Sequence, residues 1–494
     1  MFINLTNIDF CPGSGGGSAN LQEGKSVTYT ANGNYTINPD EGYDGLSSVG
    51  VTVNYNGTDY RNQNGTVDFD GLRAIGWDET SIGYFNANAL HYPWENDNYK
   101  VTDGNKALYG VVNSSNYRDY TSDPNFIYCP YFDTSNMKIM YQMFDNCKLL
   151  QSIPLLDTSN VTDMRVMFQS CYSLQNIPLL DTSNVRDMSY MFNVCRELQT
   201  IPRLDTSKVV SMTYMFQGCT SLKTIPLLNT SNVADMTSMF SSCTSLKTIP
   251  LLDTSKVTNM AGMFESCTSL KTIPQLNTSN VTNVESMFFS CNSLQTISQL
   301  NMSSVTSMRS MFYNCTSLES VPVLNTSNVT SMYQMFRECT SLTTIPQLDT
   351  SSVTNMGGMF YKCEKLRSIP ELDTSKVTNM NEMFNGWYST MNLERIEGLD
   401  MSSVTSTSNM FFYCSKLSYI RLKGSLNVRL DISDTSKLDY DSVKSILTAA
   451  SNTTNTNSKT LSFNSTLTDQ NGELAALVST CTSKGWTING LTLS

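Results

Sequence analysis

Hydrophobic and polar positions recur through the middle of the chain with a period of 24 residues. Aligned on Asp-Thr-Ser-Asn-Val, copies start at Asp133, Asp157, Asp181, Asp205, Asn229, Asp253, Asn277, Asn301, Asn325, Asp349 and Asp373, with one more, displaced by three residues, at Asp400. In the copy from Asp157 the apolar positions are Val161, Met164, Met167, Phe168, Cys171, Leu174, Ile177 and Leu180. Met164, Met167, Phe168 and Cys171 fall at i, i+3, i+4 and i+7, which predicts a short helix or helical turn. The others recur about every third residue, a spacing that predicts short extended pieces between bends. Pro178, without an N–H and with φ fixed, suits a strand end or corner. The Asp-Thr-Ser-Asn that follows reads as an Asx-type turn. One coil of this kind cannot bury its apolar face alone, so the expected architecture is a solenoid of mainly β/α-β character with about twelve coils.

The residues of the repeat carry a resemblance. Stretches such as CTSLKTIPLLDTSKVTNMAGMF, with Met-Phe and Cys returning in step, resemble the leucine-rich repeats of the BspA-like bacterial surface-protein family over about residues 126–422. The resemblance implies a right-handed leucine-rich-repeat solenoid of short parallel strands, and a role in adhesion to host or bacterial surfaces. It implies binding rather than chemistry.

Outside the repeats the pattern changes. Residues 1–20 end in a Gly-rich linker, and residues 21–59 alternate like strands with Asn-Gly and Gly-Tyr-Asp-Gly turn signals, so a small β-module is expected there. Its Gly-Tyr-Asp-Gly-Leu-Ser, residues 42–47, resembles short modules of tailed-bacteriophage fibre and baseplate proteins. Residues 60–125 are aromatic-rich and read as an attachment or N-capping domain, and 126–424 as the repeat region. Residues 425–494 read as an α+β cap. In it one helix begins at Asp441 or Ser442, and a second carries Leu474, Leu477, Val478 and Cys481 on one face and closes at Gly485. TLSFNSTL and WTINGLTL alternate as strands.

Composition narrows the chemistry. A net charge of -11 argues against a partner held by its phosphate backbone, so no nucleic acid is expected. No apolar run is long enough for membrane insertion, and the first twenty residues lack the basic and apolar regions of an export signal. Fourteen cysteines and one histidine, His91, offer no close ligand pair and no repeated nucleophile–base pair, so no metal, cofactor or catalytic residue is expected. The cysteine ladder reads as small apolar filling rather than bridges, because stacked Cβ atoms would lie roughly 4.8 Å apart. A calcium ladder on the coil-start Asp and Asn lacks the glycine-rich turn such sites use.

Variation between copies therefore carries the functional signal. Tyr141, Tyr190, Tyr214, Phe289, Tyr313, Tyr333 and Tyr361 fall on the outward side of the helical turn and form a candidate ligand-contact surface, a row of rings for stacking glycans or proteins. The expected function is a non-enzymatic bacteriophage fibre or appendage displayed on the virion surface. It would join other virion proteins through its N-terminal region, assemble as a dimer or trimer, and bind a bacterial surface glycan or protein. The alternatives are a bacterial cell-surface adhesin and an enzyme-bearing fibre acting on polysaccharide through residues 60–128.

Overall fold

The computed structural model describes four strands between Val27 and Tyr60 and, apart from short gaps, residues 137–494. It divides into two units, Met1–Asn232 and Val233–Ser494. In the first, β1 (Val27–Thr30), β2 (Asn34–Pro39), β3 (Val51–Tyr55) and β4 (Thr58–Tyr60) form an antiparallel sheet in chain order. They fall in the stretch whose alternation predicts a β-module. Residues 42–47, His91 and most of residues 60–132 lie outside the described residues.

Each 24-residue repeat folds as one coil, and the predicted helical turn is absent. In the coil from Asp157, three N–H groups bond three residues back: Met167 to Met164 O, Gln169 to Val166 O and Cys171 to Phe168 O, at 3.3, 3.2 and 3.1 Å. The N–H groups between them donate to the next coil, Val166 to Ser189 O, Phe168 to Met191 O and Ser170 to Asn193 O, at 3.0, 2.9 and 2.7 Å. Val166 and Ser170 adopt left-handed φ values of 62° and 59°. An α-helix would use every N–H internally. Overlapping turns leave alternate ones free to tie coil to coil, at the cost of left-handed backbone at non-glycine residues. The inward set is the same in either conformation: Met164, Met167, Phe168 and Cys171 are fully buried.

The expected parallel strands shrink to single bridges at the seventh place of the coil, such as Asp187 with Ser211 in the first unit and Asn259 with Asn283 in the second. A short extended stretch follows Pro178, where Leu179 and Asp181 face out while Leu180 and Thr182 are buried. Its threonine was expected in a polar turn. Instead Thr182 Oγ1 donates to Asp205 O at 2.7 Å, and in the second unit Thr350 does the same to Asp373 O at 2.9 Å. A hydroxyl can go inside because a backbone carbonyl of the next coil waits for it.

The Asx turn is present. Asp157 Oδ1 accepts from the Ser159 N–H at 3.0 Å and the Ser159 hydroxyl at 2.7 Å. The serine hydroxyl and N–H hold Asp157, Asp253, Asp349 and Asp373 below the usual carboxylate range, and in Asp205 the N–H contributes more than the hydroxyl. A lowered folded pKa stabilises the fold above the ordinary value of 3.8 and ceases to do so as the pH falls through the folded value. The expected thermal midpoint is flat from about pH 7 to 5 and drops below about pH 4. The groups are exposed, so each contributes little. A midpoint unchanged down to about pH 2 would contradict this.

Phenylalanines fill the interior as columns. Phe144, Phe168, Phe192 and Phe216 stack at 5.3 to 5.6 Å in the first unit, and in the second unit the rings from Phe240 to Phe411 stack at 5.6 to 5.9 Å. Beside them lie buried free cysteines. They do more than fill space: Cys171 Sγ donates to Phe144 O and Cys195 Sγ to Phe168 O, both at 3.1 Å. Burial pushes these thiols up, in Cys291 to about 12. Iodoacetamide at neutral pH is therefore expected to leave Cys171, Cys195 and Cys291 unlabelled in the folded chain and to label them in denaturant, read by mass spectrometry. Labelling of the folded chain would show that the column opens.

The second unit ends in the predicted α+β elements. Parallel β5 (Arg395–Asp400) and β6 (Tyr419–Lys423) precede β7 (Leu430–Asp431), α1 (Tyr440–Ser451), β8 (Thr460–Leu467), α2 (Glu473–Ser483) and β9 (Thr487–Leu493). β7, β8 and β9 form a parallel sheet in that order. α1 starts at Tyr440, before either predicted start, Asp441 or Ser442, because Asp439 is the cap: its Oδ1 accepts from Ser442 N at 2.7 Å. On α2 only Leu474 and Cys481 are buried, while Leu477 and Val478 are half-exposed.

Candidate interaction surface

The seven aromatic residues do not form one row. Counting from the coil start, Tyr141 and Tyr333 hold the ninth place, Tyr190 and Tyr214 the tenth, and Phe289, Tyr313 and Tyr361 the thirteenth. Tyr141, Tyr190 and Tyr214 belong to the first unit and the other four to the second. All but Tyr361 are half-exposed. Tyr361 is only 4% exposed and so is no contact residue: the Arg337 guanidinium lies 3.5 Å from its ring centre.

Stacking also occupies the ring faces. Tyr190 packs on Tyr214 at 4.7 Å and 17°, and Phe289 on Tyr313 at 4.6 Å and 19°. Arg309 lies 4.9 Å from the centre of Tyr333, and Arg165 5.2 Å from Tyr141. Residues at equivalent places sit one coil apart, which is the distance at which flat groups stack. One face of each of these rings is thereby covered, and Tyr313 also has Arg337 5.7 Å from its ring centre. Burial, with Tyr214 alongside, pushes the Tyr190 hydroxyl up. Arg337 reaches Glu382 at 3.1 Å, passing Gly358, where an added Cβ would lie 3.5 Å from its Nη1.

Other strongly exposed apolar groups lie elsewhere, and among the described residues Tyr388 is the most exposed of them, at 73%. Leu155, Leu179 and Leu227 are 54 to 61% exposed in the first unit, and Leu251 and Val323 are 63 and 65% exposed in the second. They hold the place just before the inward leucine of each coil. The doubled Leu in Ile-Pro-Leu-Leu-Asp is the signal for them, since neighbours in an extended chain face opposite ways.

An open groove of about 750 Å³ in the second unit is lined by Asp349, Ser351, Glu371, Asp373, Asp400 and Lys423 among others, with Glu371 and Lys423 paired. Among the described residues, no group of three or more His, Cys, Asp or Glu is placed to hold a metal ion, and no helix is long and apolar enough to cross a membrane.

The repeats that build these surfaces are shared with other proteins. A family model described as "Mycoplasma protein of unknown function, DUF285" matches residues 120–225, 221–323 and 338–470. The chain belongs to this family. The match covers most of the coils and part of the C-terminal region, and leaves out residues 42–47. Among solved structures, the chain is similar to a leucine-rich-repeat protein of T. pallidum, with 25% identity over 34% of this chain and 76% of that one and a TM-score of 0.28. It is also similar to a leucine-rich cell surface protein of Faecalibacterium prausnitzii, with 18% identity over 81% and 96% and a TM-score of 0.30. A leucine-rich-repeat protein of Eubacterium ventriosum shows 16% identity over 80% and 91% and a TM-score of 0.32. No curated protein matches the chain in sequence.

Proposed function

We propose that the chain is a non-enzymatic binding protein, an adhesin that displays its coils at a cell surface and engages a macromolecular partner. One observation carries this reading. The buried positions repeat nearly unchanged, with Phe, Met, Cys and Leu in columns, while the outward places differ from coil to coil. A scaffold that holds its backbone constant and varies its exterior suits recognition. One face of each ring is already taken by a stacked ring or a guanidinium, which leaves less open ring for stacked sugars and favours a protein partner.

Beads coated with the full chain are expected to adhere to bacterial or epithelial cells, and protease treatment of the cells to abolish the adhesion. Beads no stickier than albumin-coated ones would remove the reading. Adhesion that survives protease and falls after periodate oxidation would replace the protein partner with a glycan. A fibre on a bacteriophage particle, the setting suggested by residues 42–47, would use the same surface; antibody labelling of purified particles against intact bacteria tells the two settings apart. Assembly into a dimer or trimer through the N-terminal region is part of the proposal and is read by light scattering.

A further inference from the structure

Resting on that binding reading, we infer that the first unit carries a docking strip for a basic amphipathic α-helix of a partner protein, laid along the direction in which the coils stack. The strip arises from the extended stretch near the end of each coil. Burial alternates out, in, out, in at residues 155–158, 179–182, 203–206 and 227–230. Two outward columns result, side by side: Leu155, Leu179, Arg203 and Leu227, and next to them Asp157, Asp181, Asp205 and Asn229.

The fold does not require these leucines. In the second unit the same place is often glutamine, and there Gln347 Nε2 donates to Glu371 O of the next coil at 2.7 Å. Leucine forgoes that bond and exposes more than half of its surface on three levels of one unit. An apolar column kept at the expense of an available hydrogen bond points to a partner that covers it.

Spacing selects the kind of partner. The coils carrying these four residues step by 5.3, 5.6 and 5.6 Å along their phenylalanine column, and by 4.7 Å between Tyr190 and Tyr214 on the outside. An α-helix advances about 5.4 Å per turn, so one laid along the stack presents the same face to every level. An extended peptide advances roughly 6.6 Å for each pair of residues and falls out of step within three levels. Charge selects the composition. A helix with apolar residues at i, i+4, i+7 and i+11 would cover the leucines, and a Lys or Arg on each turn would face the aspartates. Arg203 interrupts the apolar column, and an acidic residue on the turn it meets fixes the register.

The probe is a fluorescein-labelled peptide of about 16 residues, built from Ala, Leu and Lys with that spacing. Full-length chain is expected to bind it at least about tenfold more tightly than a scrambled isomer or a version with Glu for Lys, by anisotropy. The triple variant Leu155→Gln, Leu179→Gln, Leu227→Gln, which uses the residue the fold already accepts at this place, is expected to lose about tenfold in affinity with its unfolding midpoint unchanged. Equal binding of ordered and scrambled peptides, or full binding by the triple variant, overturns the inference. Self-association of the chain that the triple variant abolishes would assign the strip to a second copy and also overturn it. The bead assay keeps the two ideas separate: adhesion by the wild-type chain together with a failed peptide removes the strip and leaves the adhesin reading standing.

Discussion

Replacing Phe192 with alanine is expected to destabilise the first unit by about 3–5 kcal/mol. The ring is fully buried and stacked on both neighbours, Phe168 and Phe216, each at 5.6 Å. Removing it takes away its own transfer free energy and leaves a gap between two rings that cannot close. Their positions are set by coil-to-coil hydrogen bonds such as Phe168 N–H to Met191 O at 2.9 Å. A coil touches only its neighbours, so the damage should centre on the coils next to Phe192 rather than spread evenly. Phe192→Leu, which keeps most of the volume, is expected to cost under about 1.5 kcal/mol. Urea unfolding followed by circular dichroism reads both variants. A loss below about 1 kcal/mol for the alanine variant would mean that the column is not a packed core.

Gly490→Val is expected to release β9, with a local cost of about 3 kcal/mol or more. Gly490 has φ +69°, and a Cβ built there runs into the backbone carbonyl oxygen of Phe463 on the paired strand β8. Backbone cannot move aside as a flexible side chain can. The pairing of β8 with β9 shifts register between Ser462 and Ser465, so the glycine sits at the irregularity in the ladder. Hydrogen exchange should show lost protection across Thr487–Leu493 with the coils unaffected. Gly472→Ala is the control. Its φ of +67° is nearly the same but nothing lies within 4 Å of the added Cβ, so only the dihedral cost of about 1 kcal/mol should appear. Equal losses in the two variants would show that strain, and not the close approach, governs Gly490.

The period, the inward residues and the coil as the structural unit were legible in the chain, because burying one face at a fixed spacing leaves a repeat that any stack must satisfy. Met164, Met167, Phe168 and Cys171 were assigned to the interior correctly even though the element was not a helix. The i, i+3, i+4, i+7 pattern is common to a helical turn and to overlapping three-residue turns. Which of the two forms depends on where alternate N–H groups find acceptors, and those acceptors lie in the following coil. The same holds for Thr182, polar in sequence and buried in the fold because the Asp205 carbonyl meets its hydroxyl. It holds for Tyr361, whose place in the coil looked outward until Arg337 of the preceding coil covered it. By itself the sequence determined the repeating apolar set that each coil keeps inside. Only the stacking of one coil on the next decided which hydrogen bonds form, which ring faces are covered, and that leucines such as Leu179 are more exposed than the seven candidate aromatic residues. Those outcomes are set by partners one coil away, beyond the reach of local spacing.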